Sequence, residues 1–180
     1  RPSATGWMFA LAIFSSAALV FAVQPMMGRL ITPTLGGSPS VWNTSMVFFQ
    51  AALLVGYGYA HLLQRVGSIR LQVGIHLGLL LLALASFWPL RVNEMLGAPD
   101  TGSPIPWLIG TLALSVGAPF AVLSATAPLL QAWFARVRQG TEEGQNPYVL
   151  YAASNLGSFA ALIAYPTLIE PLLGLSAQTV

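Results

Sequence analysis

The side chains able to hold a ligand or move a proton inside the apolar stretches are few: His61 and His76, the amides Gln50 and Asn155, and Arg29 beside a proline. No Asp, Glu, Lys or Arg falls in the middle of a long apolar stretch, which argues against a carboxylate proton relay or a charge-coupled pump core. Gln50 and Asn155 have two readings. They line a polar cavity and hold a substrate by hydrogen bonds, or they bond across helices as packing contacts worth roughly 0.6–2 kcal/mol each. His61 and His76 bracket one helical hairpin, where a pair of imidazoles can ligate haem or a chlorophyll-type magnesium, or pass protons. Neither has a carboxylate within the same turn to orient it, so the alternative is an interfacial histidine bonded to headgroups or backbone. Arg29 follows Gln24-Pro25-Met26-Met27-Gly28. Its guanidinium can capture an anionic group bidentately, or snorkel to phosphates and cap carbonyls. The sequence contains no P-loop, GxGxxG, HExxH or GxSxG pattern, so no recognised catalytic constellation is present. No metal site and no cofactor are expected.

The elements that must position these groups follow from composition. Of 180 residues, 56% are hydrophobic and 7% charged, where a soluble domain carries about 25% charged residues. Mean hydropathy is +0.72. Seven basic residues, all arginine, and five acids leave a net charge of +2. That is too little basic surface to neutralise nucleic-acid phosphates. The absence of cysteine excludes a disulfide framework and zinc-thiolate sites. A hydrocarbon core about 30 Å thick needs roughly 20 apolar residues per helix, and five windows meet that: residues 7–23, 41–63, 71–90, 107–134 and 148–169. The expected fold is an all-α, polytopic transmembrane bundle of about five helices in one domain. The first window also has a signal-peptide reading, which its length and barely basic start disfavour.

Pro119 and Pro128 interrupt the fourth window. Each lacks an N–H and frees the carbonyl four residues back, at Ser115 and Ser124, so a kinked or broken helix is expected there. Pro166 sits near the end of the fifth window, and residues 24–40, rich in Pro and Gly, read as a connector. Small residues are abundant. Gly74 and Gly78 form a GxxxG, Gly56 and Gly58 lie in the second window, and Ala153, Gly157 and Ala161 recur at i+4 in the fifth. Such faces let helix backbones approach closely where lipid gives no hydrophobic drive. Arg1, Arg65, Arg70, Arg136 and Arg138 fall on one side of the five windows, Arg29 and Arg91 on the other. By the positive-inside rule the N-terminus is cytoplasmic and the C-terminus external, with the chain in a bacterial inner membrane.

Several longer stretches carry a family resemblance. Residues 14–25 (Phe14 to Pro25), Gly36-Gly37-Ser38-Pro39-Ser40-Val41-Trp42-Asn43-Thr44, Phe48-Phe49-Gln50 and Gly56-Tyr57-Gly58-Tyr59-Ala60-His61 resemble the membrane half of bacterial fused major-facilitator/spermidine-synthase proteins. So do residues 146–158 (Asn146 to Ser158), Tyr165-Pro166 and Glu170-Pro171-Leu172-Leu173-Gly174-Leu175. The resemblance implies a multi-helix portion related to transporters. No aminopropyltransferase-like domain is present in this sequence, so synthase chemistry does not carry over. The loop Gln64-Arg65-Val66-Gly67-Ser68-Ile69-Arg70 is similar to the facilitator loop between helices two and three. Gln64 stands at that pattern's acidic position, and the following basic residue is displaced to Arg70.

Two functional classes remain open. One is a non-catalytic membrane subunit or scaffold, packed through its small-residue faces against protein partners in a larger complex, with a respiratory or photosynthetic assembly as a natural host. The other is a transporter-like fragment in which Gln50, Asn155, Arg29 and the Pro119/Pro128 helix line the route of a small polar solute. A membrane anchor for a separate synthase-like domain is a third, weaker reading. Membrane lipids are expected partners in every case, nucleic acid in none.

Overall fold

The computed structural model describes residues 3–99, 102, 104–145 and 148–178. Their regular secondary structure is all helical, without strands, and five helices are long and apolar enough to cross a membrane. The chain is therefore a multi-pass membrane protein. The spans are α1 (Ala4–Leu35), α2 (Pro39–Leu63), α3 (Ile69–Phe87), the composite α4–α5–α6 (Pro104–Leu112, Ala118–Ser124, Thr126–Val137) and α8 with α9 (Tyr148–Ala164, Glu170–Leu172). Two short helices, α7 (Glu142–Gln145) and α10 (Leu175–Gln178), follow the fourth and fifth spans.

Each of the first three spans starts where a serine can satisfy an orphan amide. Ser3, Ser38 and Ser68 accept from the backbone N–H of Gly6, Val41 and Leu71. Pro39 follows Ser38 in the first turn of α2, where its missing N–H costs nothing. Gly36 ends α1 at φ 73°, a conformation that favours glycine.

The connector expected over residues 24–40 is corrected by the structure. α1 continues through Pro25 to Leu35, roughly three turns beyond the sequence reading. Met27 and Ile31, both fully buried against α2 and α4, give the continued helix a face to bury. That burial outweighs the single hydrogen bond that Pro25 removes. The fourth span runs from Pro104 to Val137 with two irregularities. A π-helical turn over Ala113–Gly117 precedes Pro119, and a turn at Ala125 precedes Pro128. A second π-helical turn, Tyr165–Ile169, contains Pro166.

The fourth span is the central post of the bundle. Its most apolar stretch is 44% buried, against 11% for α3. One core cluster joins α1, α2, α4 and α5 through Met27, Phe49, Leu112 and Phe120. A second joins the start of α1 to α6 and α8 through Ile13, Phe134 and Leu150. A third joins the ends of α2 and α6 through Ala60, Leu129 and Trp133. The most extensive helix pair is α1 with α8, while α3 leans on α5 at the periphery.

Candidate functional site

Glycine decides how close the helices come. A Cβ at Gly157 would collide with the carbonyl oxygen of Phe14 and stand 3.0 Å from its carbonyl carbon, so α8 lies directly on the backbone of α1. A Cβ at Gly56 would collide with Ser124 Oγ and the Ala121 carbonyl, which puts α2 against α5 with equal intimacy. Gly74 and Gly78 have nothing near the position of a Cβ. The GxxxG of α3 therefore makes no helix contact within this bundle.

These two close crossings frame a narrow cleft of about 40 Å³ among α1, α2, the fourth span and α8. Its polar lining is Ser16, Tyr57, Ser124, Ser154 and Ser158. Ser16, Ser124 and Ser158 donate to carbonyls one turn back in their own helices, those of Ile13, Ala121 and Ser154. Their oxygens keep acceptor capacity toward the cleft. The space is large enough for a water-sized group and too small for a metabolite.

Gln50 and Asn155 lie outside that cleft. Both are exposed on the bundle surface, and neither has a hydrogen-bond partner among the described residues. Gln50 is seven residues from Tyr57, which places them within about 20° of each other on one face of α2. Asn155 is the neighbour of Ser154 on α8, turned further from the bundle axis. The structure does not bring the two amides together with Arg29. Arg29 instead pairs with Glu170 at 2.9 Å, both side chains about 40% exposed, bridging the ends of the first and fifth spans. Its anion is thus supplied from within the chain.

The two histidines part company as well. His61 is exposed at the end of α2, while His76 is buried in the interior. His76 Nδ1 lies 3.3 Å from Tyr59 Oη and Nε2 lies 3.1 Å from Thr126 Oγ1. Both ring nitrogens are therefore occupied, and the imidazole is stacked on Tyr59 and edge-on to Trp133. One turn earlier on α3, Gln72 accepts from the Trp133 indole N–H at 2.7 Å and donates to the Val66 carbonyl. Arg136 donates to the Gln64 carbonyl at 3.1 Å. These contacts tie the loop between α2 and α3 to the fourth span without an acidic residue. Among the described residues no cluster of three His, Cys, Asp or Glu side chains could hold a metal.

The Gln72–His76–Tyr59–Thr126–Trp133 cluster is the feature that sequence reasoning missed. Its available signal was the i, i+4 spacing of Gln72 and His76 on an otherwise apolar helix. Its side-chain hydrogen bonds link α2, α3 and the fourth span. Comparison with family models, curated proteins and solved structures returns no match to the chain.

Proposed function

We propose that the chain is a non-catalytic membrane module that docks onto further helices of a larger membrane assembly. The observation that carries this reading is the state of Gln50 and Asn155: two amides within helices apolar enough to cross a membrane, exposed, with no partner among the described residues. A side-chain amide facing hydrocarbon forgoes its hydrogen bonds at a cost of several kcal/mol by the most apolar reference scale, about 4–8 kcal/mol. A neighbouring helix offering a donor or acceptor removes that cost. Gln72 and His76 inside the bundle are hydrogen-bonded within it, and the two amides that face outward are left for a partner.

The test uses photo-crosslinkable residues at positions 50 and 155 in membranes, with the partner complex isolated in mild detergent. Protein crosslinks from both positions, and loss of the complex in the Gln50→Leu/Asn155→Leu variant, are expected. Crosslinks to lipid alone would refute the docking role. The orientation that goes with this reading, with Arg65, Arg70, Arg136 and Arg138 on the cytoplasmic side of a bacterial inner membrane, is testable because the chain has no cysteine. Gly67→Cys should react with an impermeant maleimide only after permeabilisation, and Met95→Cys in intact cells.

The serine-lined cleft supports a second reading, that of a transporter-like half. A second bundle closing over this face would enclose Ser154, Ser158, Tyr57 and the two amides in one polar cavity, in keeping with the resemblance to facilitator-type proteins. Solute uptake abolished by Gln50→Ala and Asn155→Ala would favour this reading over a scaffold.

A further inference from the structure

We infer that the bundle carries a specific site for an anionic phospholipid between α1 and α3, on the end that bears Arg29 and Arg91. Two adjoining cavities form it. The first is an apolar groove of about 440 Å³ walled by Leu19 and Val23 of α1, Leu80, Leu84 and Phe87 of α3, and Leu123 of α5. It exists because α3 packs on α5 rather than on α1, leaving a furrow between the two. The second is a polar pocket of about 400 Å³ that shares Phe87 and Trp88 with the groove and is lined further by Arg91, Asn93 and Ser115.

The dimensions select an acyl chain over a helix. From Leu80 to Trp88 the groove follows eight residues of α3, about 12 Å at 1.5 Å per residue. One leaflet of hydrocarbon is about 15 Å deep, half of the bilayer core. A spanning helix needs twice that length of furrow, whereas one lipid tail needs only this much.

The charge selects the headgroup. Arg91 is the ionisable residue of the polar pocket, and no ion pair involves it among the described residues. Asn93 donates its backbone N–H to Ser115 Oγ at 2.8 Å, and its Oδ1 accepts from the Met95 N–H at 2.9 Å. Those bonds fix the side chain with its NH₂ group still to be used. Arg91 and Asn93 thus bring donor side chains to the lining of a pocket that adjoins an apolar furrow, with Trp88 shared by the two. A phosphodiester there receives charge-assisted hydrogen bonds while its tail fills the groove.

Native mass spectrometry of the detergent-purified chain, titrated with phosphatidylglycerol, phosphatidylcholine or inorganic phosphate, tests the site. Phosphatidylglycerol should bind at one saturable site, phosphatidylcholine at least several-fold more weakly, and inorganic phosphate not measurably. Arg91→Gln should weaken phosphatidylglycerol binding about tenfold, the loss expected when a charge-assisted hydrogen bond is removed. Ala83→Trp, which fills the groove, should do the same, with retention of the wild-type melting temperature showing that the bundle is intact. Arg65→Gln, on the opposite end, should leave binding unchanged. Equal binding of both lipids insensitive to Arg91→Gln would overturn the site, leaving only an annular lipid. Binding lost in Arg91→Gln but kept in a folded Ala83→Trp, or a transmembrane helix found crosslinked into the groove, would overturn it as well.

Discussion

Replacing Gly157 by alanine adds a single methyl group at one of the two closest helix crossings in the bundle. The new Cβ meets Phe14 at its carbonyl oxygen, at its carbonyl carbon at 3.0 Å and at its Cα at 3.1 Å. Ordinary carbon contacts begin near 3.5 Å. All three atoms belong to backbone in the middle of α1, so no rotamer change relieves the overlap and the helices must separate. Overpacking of this kind costs about 1–3 kcal/mol. The same substitution at Gly74 meets nothing within 4 Å, and there alanine should gain about 0.5–1 kcal/mol by restricting the unfolded chain. The two variants, identical in chemistry, should therefore differ by about 1.5–4 kcal/mol.

Unfolding in mixed detergent micelles with rising dodecyl sulfate reads that difference directly. In thermal unfolding it corresponds to about 2–4 °C per kcal/mol for a chain of this size. Gly78→Ala provides a second control, since it too lies in open space. Should Gly157→Ala prove as stable as Gly74→Ala, the direct α1–α8 backbone contact, and with it the framing of the four-helix cleft, is wrong.

Three further outcomes follow from the same contacts. Gly56→Ala should destabilise comparably, and Ser124→Ala should not rescue it in dodecyl sulfate unfolding, because the Ala121 carbonyl still blocks the methyl group. Gln72→Leu strands the buried Trp133 indole N–H and removes the bond to the part-buried Val66 carbonyl, and should cost about 1–3 kcal/mol for the stranded indole. Trp133→Phe in the same background should recover part of that loss, read as a double-mutant cycle. Arg29→Gln should cost less than about 1 kcal/mol, because its pair with Glu170 is only part-buried; a loss of 3 kcal/mol in the same assay would show that the pair is shielded from solvent.

The spans were legible because ionised groups are intolerable in hydrocarbon, and five charge-free windows mark where the chain can cross. Their ends were less so. Pro25 and Gly28 look like breakers in isolation, yet Met27 and Ile31 find a buried seat on α2 and α4, and tertiary packing carries α1 on to Leu35. Spacing also identified the small-residue stripes without saying which of them meet a neighbour. Gly56 and Gly157 do, while Gly74 and Gly78 do not. That choice depends on how helices rotate against each other, which no single helix encodes. The His76 cluster was hidden for a related reason: its partners Thr126 and, for Gln72, Trp133 lie 50 and 61 residues along the chain.

The division of polar groups between inside and outside bears most directly on what the bundle does. Gln72, His76, Tyr59 and Trp133 are closed upon one another, and the carbonyls that receive from Gln72 and Arg136 tether the loop between α2 and α3. A network satisfied to that degree resists rearrangement, since breaking any link leaves an unpaired group in a low-dielectric interior. The α2–α3 hairpin is therefore tied to the fourth span by side-chain hydrogen bonds. Gln50 and Asn155 have the opposite character: their hydrogen-bonding capacity is unspent, and they sit on exposed faces of α2 and α8, outside the serine-lined cleft. On the docking role we propose, another helix surface meets these unpaired amides, and the energy of completion falls on two identifiable side chains.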